Sequence, residues 1–275
     1  MEDKKTDEIL IILQLLRDYL DQIIIGGGWS QILFFKYHLR DTEKFNLFTK
    51  DYDLLVSQKV NIKGNKTVNK ILTDAGLSPV FLGKSTPPII HYEGEVFGKE
   101  VEIEFLTDKS YDREKDAIKV QSGLTAESLD YLKICIDNTM NIDVVIEDNG
   151  MDKILGINIP QPAAFVFNKG IVFARRKDTQ KQAKDLYYIF NFIAYSDSLY
   201  KEIINGLRRL FKKYSANWKN TFERNLNEYF IKEPKIGIEM VIGQRPAGDF
   251  SGMDESQFRN YVENMFIKLL ESINK

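Results

Sequence analysis

The apolar residues in the first part of the chain indicate a helix, then a strand, then a second helix. Between residues 9 and 20, Ile and Leu recur at steps of four, three and four positions, which predicts one face of an amphipathic helix. The β-branched run within residues 22–25 indicates a buried strand. Three glycines end that strand, and the apolar segment 29–37 is typical of a helix. A glycine turn therefore joins a predicted strand to a predicted helix.

Short apolar segments separated by turn residues continue to about residue 160. The stretch 110–119 is rich in charged residues, which is typical of a surface loop. The remaining pattern predicts strands over 51–56, 89–92, 101–106 and 141–147, and a helix over 68–75 that ends at Gly76.

From about residue 160 onward, helical periodicity replaces these short strands. The segment 233–250 contains two prolines and three glycines, which predicts a loop. We therefore expect an α/β (α+β) fold, with a mixed sheet flanked by helices over residues 1–160 and a helical domain over residues 161–275. The helices predicted in the second domain cover 162–176, 179–194, 199–214 and 251–273.

The composition restricts the chemistry that the chain supports. Its 275 residues are 43% apolar and 28% charged, as in globular proteins, and a net charge of -2 gives no general attraction to long nucleic acids. The single cysteine, Cys135, excludes an internal disulfide. His38 and His91 are too few for a histidine-rich metal site, and we expect both to be ordinary surface or half-buried residues. A metal would therefore be held by carboxylates, which favours magnesium or manganese.

The N-terminal sequence predicts a protein without a membrane partner. It opens with Met-Glu-Asp-Lys-Lys and lacks a hydrophobic signal segment followed by small residues. The most apolar early segment, residues 9–20, is too short and too charged to span a bilayer. We therefore expect a cytoplasmic location.

Two aspartates separated by one residue form the first candidate site. Asp51 and Asp53 lie in a predicted strand, where alternate side chains point to the same face, so Tyr52 points to the other. Adjacent carboxylates repel each other and raise each other's pKa unless a cation lies between them. The pair is therefore a candidate ligand set for a divalent metal.

Glu102 and Glu104 show the same spacing in a second predicted strand. If this strand lies beside the first, one glutamate completes a three-carboxylate site, and we favour Glu104 because the Phe-Leu pair after it should enter the core. Three carboxylates around two magnesium ions suit phosphoryl transfer to a hydroxyl group.

The glycine turn is the second candidate site. Gly27 and Gly28 lie between a strand and a helix, where the missing β-carbons let backbone N–H groups approach a phosphate closely. Ser30 adds a hydroxyl near the first helical turn. Each motif alone also has a simpler interpretation as a plain turn or a solvated strand edge. Their order and spacing together favour a functional site.

Residues 23–56 resemble the signature of polymerase-β-like nucleotidyltransferases. In that superfamily a hydrophobic strand, a Gly-Gly turn and a helix precede a strand with an Asp-x-Asp motif. Here Ile-Ile-Ile-Gly-Gly-Gly-Trp-Ser precedes Asp51-Tyr52-Asp53. Within the superfamily the chain most resembles the AbiEii-like (type IV) abortive-infection toxins. This resemblance implies a nucleotidyltransferase-type mixed sheet in the first domain.

The same resemblance implies roles for three residues of the second domain. AbiEii-like proteins carry a lysine and an arginine on one helix and a Lys-Asp or Arg-Asp step at the start of another. By this resemblance, Lys169 contacts the triphosphate, Arg176 assists it, and Asp185 organises the site. The residues themselves indicate only a basic cluster able to meet an anion, which is also typical of a solvated helix face.

The resemblance implies a metal-dependent nucleotidyltransferase of the EC 2.7.7 type, with Mg²⁺ or Mn²⁺ as cofactor. It would move a nucleoside monophosphate from a nucleoside triphosphate to a tRNA, a protein or a small molecule, and a toxin would also have an antitoxin as partner. Two alternatives stay open. One is a small-molecule transferase that modifies an antibiotic, as lincosamide-modifying relatives do. The other is a non-catalytic nucleotide-binding protein or toxin–antitoxin interaction partner.

Overall fold

The chain forms two compact units, Met1–Pro160 and Gln161–Lys275. A computed structural model of the protein describes residues 6–41, 49, 51–83, 86–96, 98–148 and 151–275.

The first unit combines a sheet with short helices. Its helices are α1 (Thr6–Leu15), α2 (Gly27–Leu33), α3 (Val68–Asp74) and α4 (Lys133–Ile136), and α2 continues into a π-helical turn over Phe34–His38. Its strands are β1 (Ile23–Ile25), β2 (Asp51–Val56), β3 (Ser78–Leu82), β4 (Ile89–Val96), β5 (Lys99–Asp108), β6 (Ala117–Gln121), β7 (Leu124–Leu129), β8 (Thr139–Asp148) and β9 (Met151–Pro160).

Within the described residues, these strands form one mixed sheet of nine strands. Its main order is β3-β4-β5-β2-β1-β9-β8, while β7 pairs with both β5 and β6. Strand β2 runs parallel to β5 and antiparallel to β1. Strand β4 is antiparallel to β5. The expected fold class, a mixed sheet flanked by helices followed by a helical region, is therefore confirmed.

The alternation of side chains along β2 separates the two faces of the sheet. Tyr52 is buried and stacks on Trp29 of α2, with ring centroids 5.3 Å apart. Leu55 lies on the opposite face, where it joins an apolar cluster that includes Ile24, Leu106 and Cys135. This packing anchors β2 from both sides, so the Asp51 and Asp53 backbone is held at a defined position.

Four strands of the first unit were missing from the sequence prediction. Strand β3 contains Pro79, which is compatible with its position at the edge of the sheet. Strand β6 begins inside the segment 110–119, so the prediction of a loop there is wrong for its last residues. Charged Lys119 is exposed while its strand neighbours Ile118 and Val120 are buried. The other two missed strands are β7 and β9.

The second unit is entirely helical over its regular elements. These are α5 (Pro162–Val172), α6 (Thr179–Ile193), α7 (Asp197–Lys213), α8 (Ala216–Phe230), α9 (Ile236–Gly243) and α10 (Glu255–Ile273), with a short 3₁₀ turn over Phe173–Arg175. Aromatic side chains fill the interior, as Phe190 illustrates by packing edge-on against Phe258 at 5.5 Å between ring centroids.

The prediction of a loop over 233–250 is wrong for its middle part, because α9 lies within it. Ile238 and Val241 are buried, and the helix packs against α6, α8 and α10. Gly237 allows this close approach, since a β-carbon there would lie 2.8 Å from Cζ of Phe230. Gly237 was thus a packing signal rather than a loop signal.

None of the helices over the described residues is both long enough and apolar enough to cross a bilayer.

Candidate nucleotide and metal site

Four carboxylates lie on one face of the sheet where β2 and β5 run side by side. Asp51 pairs in register with Glu102, and Asp53 pairs with Glu104. Residues directly opposite each other on paired strands point to the same face, with their strands about 4.8 Å apart. We call this group of Asp51, Asp53, Glu102 and Glu104 the acidic face.

His91 joins the acidic face from the neighbouring strand. It lies on β4, opposite Glu104 of β5, and is only 8% exposed. Its Nδ1 atom is 3.6 Å from Oε1 of Glu104 and 3.7 Å from Oε1 of Glu102. The expectation that His91 is an ordinary surface or half-buried histidine is therefore wrong. No local motif marked it, because its partners come from strand pairing.

Glu127 is a second residue that sequence reasoning missed. It lies on β7 opposite Leu106, whose side chain is on the same face of the sheet as that of Glu104. Ligand atoms of His91, Glu104 and Glu127 all lie within 4.8 Å of one another. The sequence carried no signal for this grouping, because β7 itself was not predicted.

The acidic face changes the protonation of Glu104. Burial, followed in order of importance by the charges of Asp53, Glu127, Asp51 and Glu102, raises the pKa of this carboxyl to about 7. A carboxyl with this pKa is largely protonated in mildly acidic solution and ionises near neutrality. An added divalent cation would favour the ionised form by offsetting the repulsion.

The glycine turn lies directly against Asp53. The backbone N–H of Gly26 donates a 2.8 Å hydrogen bond to the carbonyl of Asp53. Gly27 has a φ of +54°, and a β-carbon there would lie only 2.0 Å from Oδ2 of Asp53. The backbone can approach the carboxylate this closely only because Gly27 has no side chain.

Ser30 and Gly28 complete the turn at the start of α2. Both are buried, and the Ser30 hydroxyl donates a 2.8 Å hydrogen bond to the carbonyl of Gly27. The hydroxyl proton thus braces the turn in this structure. A phosphate donor role for Ser30 would require this hydrogen bond to be exchanged.

The donor chemistry of the acidic face fits the predicted cofactor. Asp51, Asp53 and Glu104 offer carboxylate oxygens, which hard divalent cations such as Mg²⁺ and Mn²⁺ prefer. The raised pKa of Glu104 is the second sign of this fit, because it reflects burial and, after that, neighbouring negative charge that a cation would offset.

The second unit contains an ion cluster formed by Lys169, Arg176 and Asp185. The Lys169 Nζ atom donates to Oδ1 of Asp185 at 2.5 Å, and Nε of Arg176 donates to Oδ2. The Asp185 side chain is only 4% exposed, while Lys169 and Arg176 are 12% and 35% exposed. The Lys169 ammonium also lies 5.6 Å from the centre of the Phe165 ring. Asp185 therefore fixes the positions of both cations.

The structure thus brings the residues singled out in the sequence together as two groups, one in each unit. The first contains Asp51, Asp53, Glu104 and the glycine turn with Ser30, and the second is the Lys169–Arg176–Asp185 cluster.

Comparison with known proteins identifies the family. The chain matches the model of a nucleotidyltransferase family over residues 20–200, a range that contains both groups of residues. Because this match covers more than half of the chain, the protein belongs to that nucleotidyltransferase family.

One solved structure is also similar, an antigenic nucleotidyltransferase-like protein from Paracoccidioides brasiliensis. It is 16% identical, with 79% of this chain and 93% of that chain covered and a TM-score of 0.40. No curated protein matches the chain.

Proposed function

We propose that the protein is a metal-dependent nucleotidyltransferase that moves a nucleoside monophosphate from a nucleoside triphosphate to an acceptor. Membership of a nucleotidyltransferase family supports nucleotidyl transfer in general. The observation that carries the proposal for this chain is the register of β2 and β5, which pairs Asp53 with Glu104 beside the close-packed Gly27.

In the proposed reaction, an oxygen of the acceptor forms a bond to the α-phosphorus of the triphosphate. The bond between that phosphorus and the oxygen bridging to the β-phosphate breaks, and pyrophosphate leaves with the electron pair. The acceptor's proton passes to solvent. Asp51, Asp53 and Glu104 would hold Mg²⁺ or Mn²⁺, which when bound activates the attacking oxygen and neutralises charge on the leaving group.

The other residues would bind and orient the triphosphate. Gly27 and Gly28 would admit its phosphates to the backbone N–H groups, and Ser30 would keep their turn in shape through its hydrogen bond to Gly27. Lys169 and Arg176 would offset phosphate charge through charge-assisted hydrogen bonds. Asp185 would act as a positioning residue, since its carboxylate holds both cations.

The finer assignments are part of this proposal and rest on the sequence. Residues 1–160 would be the nucleotidyltransferase domain proper and residues 161–275 a helical domain. The chemistry would be of the EC 2.7.7 type, and the protein would be an AbiEii-like toxin of the cytoplasm that is opposed by an antitoxin. The acceptor would be a tRNA, a protein or a small molecule.

The test is calorimetric titration of Mg²⁺ and a nucleoside triphosphate into the wild-type protein and into a variant with Asp51→Asn and Asp53→Asn. We expect Mg²⁺-dependent binding in the wild type and a loss of at least tenfold in affinity in the variant. A matched control carries Asp143→Asn and Asp152→Asn, which remove two exposed carboxylates from β8 and β9. The control should bind as the wild type does.

Equal affinities in the wild type and the Asp51/Asp53 variant would contradict the metal assignment. Transfer itself is tested by pyrophosphate release with tRNA, protein and small-molecule acceptors. Triphosphate binding without pyrophosphate release from any of them would contradict the enzyme and favour a non-catalytic nucleotide-binding protein.

A further inference from the structure

The environment of His91 is unusual for a histidine with a purely structural role. Its side chain is 10% exposed, and its Nε2 atom is buried with no hydrogen-bond partner among the residues that the structure describes. Its Nδ1 atom faces Glu102 and Glu104 at 3.7 and 3.6 Å, which is too long for a direct hydrogen bond. A buried imidazole without hydrogen bonds costs free energy unless something else satisfies it.

The distances around His91 suit a bound ion. An ion with bonds of about 2.1–2.2 Å holds neighbouring donor atoms about 3.0–3.6 Å apart. The separation of 3.6 Å between Nδ1 of His91 and Oε1 of Glu104 matches this spacing. Glu127 supplies a third donor, since ligand atoms of all three residues lie within 4.8 Å of one another.

We propose that His91, Glu104 and Glu127 form a further metal site that binds a divalent first-row transition-metal ion. Mg²⁺ and Ca²⁺ prefer donor sets made only of oxygen, whereas a set that includes an imidazole favours transition metals. The site would share Glu104 with the proposed Asp51–Asp53–Glu104 site. It does not depend on nucleotidyl transfer, because metal binding alone defines it.

Strand pairing supports the same conclusion. Glu104 on β5 lies between β2, which carries Asp53, and β4, which carries His91. The carboxylate of Glu104 therefore has the aspartates on one side and the imidazole on the other. Glu127 extends the second side through the pairing of β7 with β5.

The test uses Mn²⁺ as the probe, without nucleotide, and electron spin echo envelope modulation as the readout. This measurement detects a nitrogen atom bonded directly to Mn²⁺. The chain has only two histidines, so His38→Gln is a matched control for His91→Gln. His38 is exposed and stacks on Phe34 in the π-helical turn.

We expect imidazole modulation in the wild type and in His38→Gln, and its loss in His91→Gln. We also expect Glu127→Gln to weaken Mn²⁺ binding at least tenfold, measured from the signal of free Mn²⁺, whereas Glu114→Gln at an exposed position should have no effect. Circular dichroism and thermal unfolding would establish that each variant is folded.

A wild-type protein saturated with Mn²⁺ that shows no nitrogen modulation would overturn the proposal. Modulation that survives in His91→Gln would overturn it as well. The variant with Asp51→Asn and Asp53→Asn separates the two proposals, because it should lose Mg²⁺-dependent triphosphate binding and keep the nitrogen modulation. Loss of modulation in that variant would assign His91 to the same ion as the aspartates and refute a separate site.

Discussion

The acidic face of the first unit and the ion cluster of the second unit differ in the charges that surround a carboxylate. Cations surround it in the ion cluster, and other carboxylates surround it in the acidic face. In the second unit, two cations hold the Asp185 carboxylate directly. In the first unit, burial and four other carboxylates raise the pKa of Glu104 to about 7. The ion cluster thus pairs its one carboxylate with two cations, whereas the acidic face concentrates charge of one sign. This difference supports the proposed cation site in the first unit and the proposed positioning role of Asp185.

The largest expected effect is the loss of stability when the charge on Asp185 is removed. Asp185→Asn leaves Lys169 and Arg176 without their shared counter-ion, and breaking a buried ion pair in this way typically costs about 3–5 kcal/mol. Because Arg176 is partly exposed, we expect a loss of about 3 kcal/mol in the free energy of unfolding, measured by urea denaturation. Glu228→Gln is the control, since its pair with Lys232 is exposed and should contribute less than about 1 kcal/mol. Equal losses would contradict the positioning role.

The next largest effect concerns the contact between Gly27 and Asp53. Gly27→Ala places a β-carbon 2.0 Å from Oδ2 of Asp53, so that carboxylate must move. A shift of about 1 Å at a reacting centre can reduce turnover about 100-fold, and we expect that loss in pyrophosphate release. Gly64→Ala is a matched control, because its φ of +60° is similar and no atom lies within 4 Å of its β-carbon position. Both variants should lose about 1–2 kcal/mol of stability from the positive φ. A Gly27→Ala protein with the activity of the Gly64→Ala protein would contradict the assignment.

A smaller effect of opposite sign is expected at Glu104. In metal-free protein at pH 8, Glu104→Gln removes one charge from the acidic face, so it should stabilise the fold by roughly 1–2 kcal/mol, given about 1.4 kcal/mol for each unit of pKa shift before solvent screening. Chemical denaturation in the presence of EDTA measures this change. Glu95→Gln, at an exposed position on β4, should have no such effect. A destabilised Glu104→Gln protein would show that the carboxylate is already compensated.

The smallest effect is the pH dependence of the stability that protonated Glu104 contributes to the metal-free wild-type protein. The pKa of Glu104 is about 7 in the folded chain against 4.5 as its ordinary value, so the folded state binds the proton more tightly than the unfolded state. This contribution is fully present below about pH 4.5 and is lost as the pH rises through 7. We expect the metal-free wild type to lose about 1 kcal/mol relative to Glu104→Gln between pH 5 and 8. Parallel stability profiles for the two proteins would contradict the raised pKa.

The local patterns of the chain predicted the elements that bear the candidate residues. Period-two alternation around Tyr52 placed Asp51 and Asp53 on one face, and the structure confirms that Tyr52 packs on the other. Three glycines after an apolar run predicted the turn against which Asp53 lies. These features could be inferred because they depend on neighbours only a few residues apart in the chain.

Other features depended on contacts between distant segments. The burial of Ile238 made the segment 233–250 partly helical although its glycines and prolines favoured a loop. Strand β7 was not predicted because its own residues carry too weak a pattern. It forms through pairing with β5 and β6. Propensity and spacing were overridden in both cases by packing.

The sequence by itself therefore determined the fold class, the aspartate pair, the glycine turn and the choice of Glu104 as a candidate. The fold class follows from the order of the elements along the chain, and the others follow from periodicity within a single strand or turn. Only the tertiary structure decided that His91 and Glu127 lie beside Glu104, because the register between strands brings them together. Register depends on which side chains pack in the core, and that packing involves residues far apart along the chain.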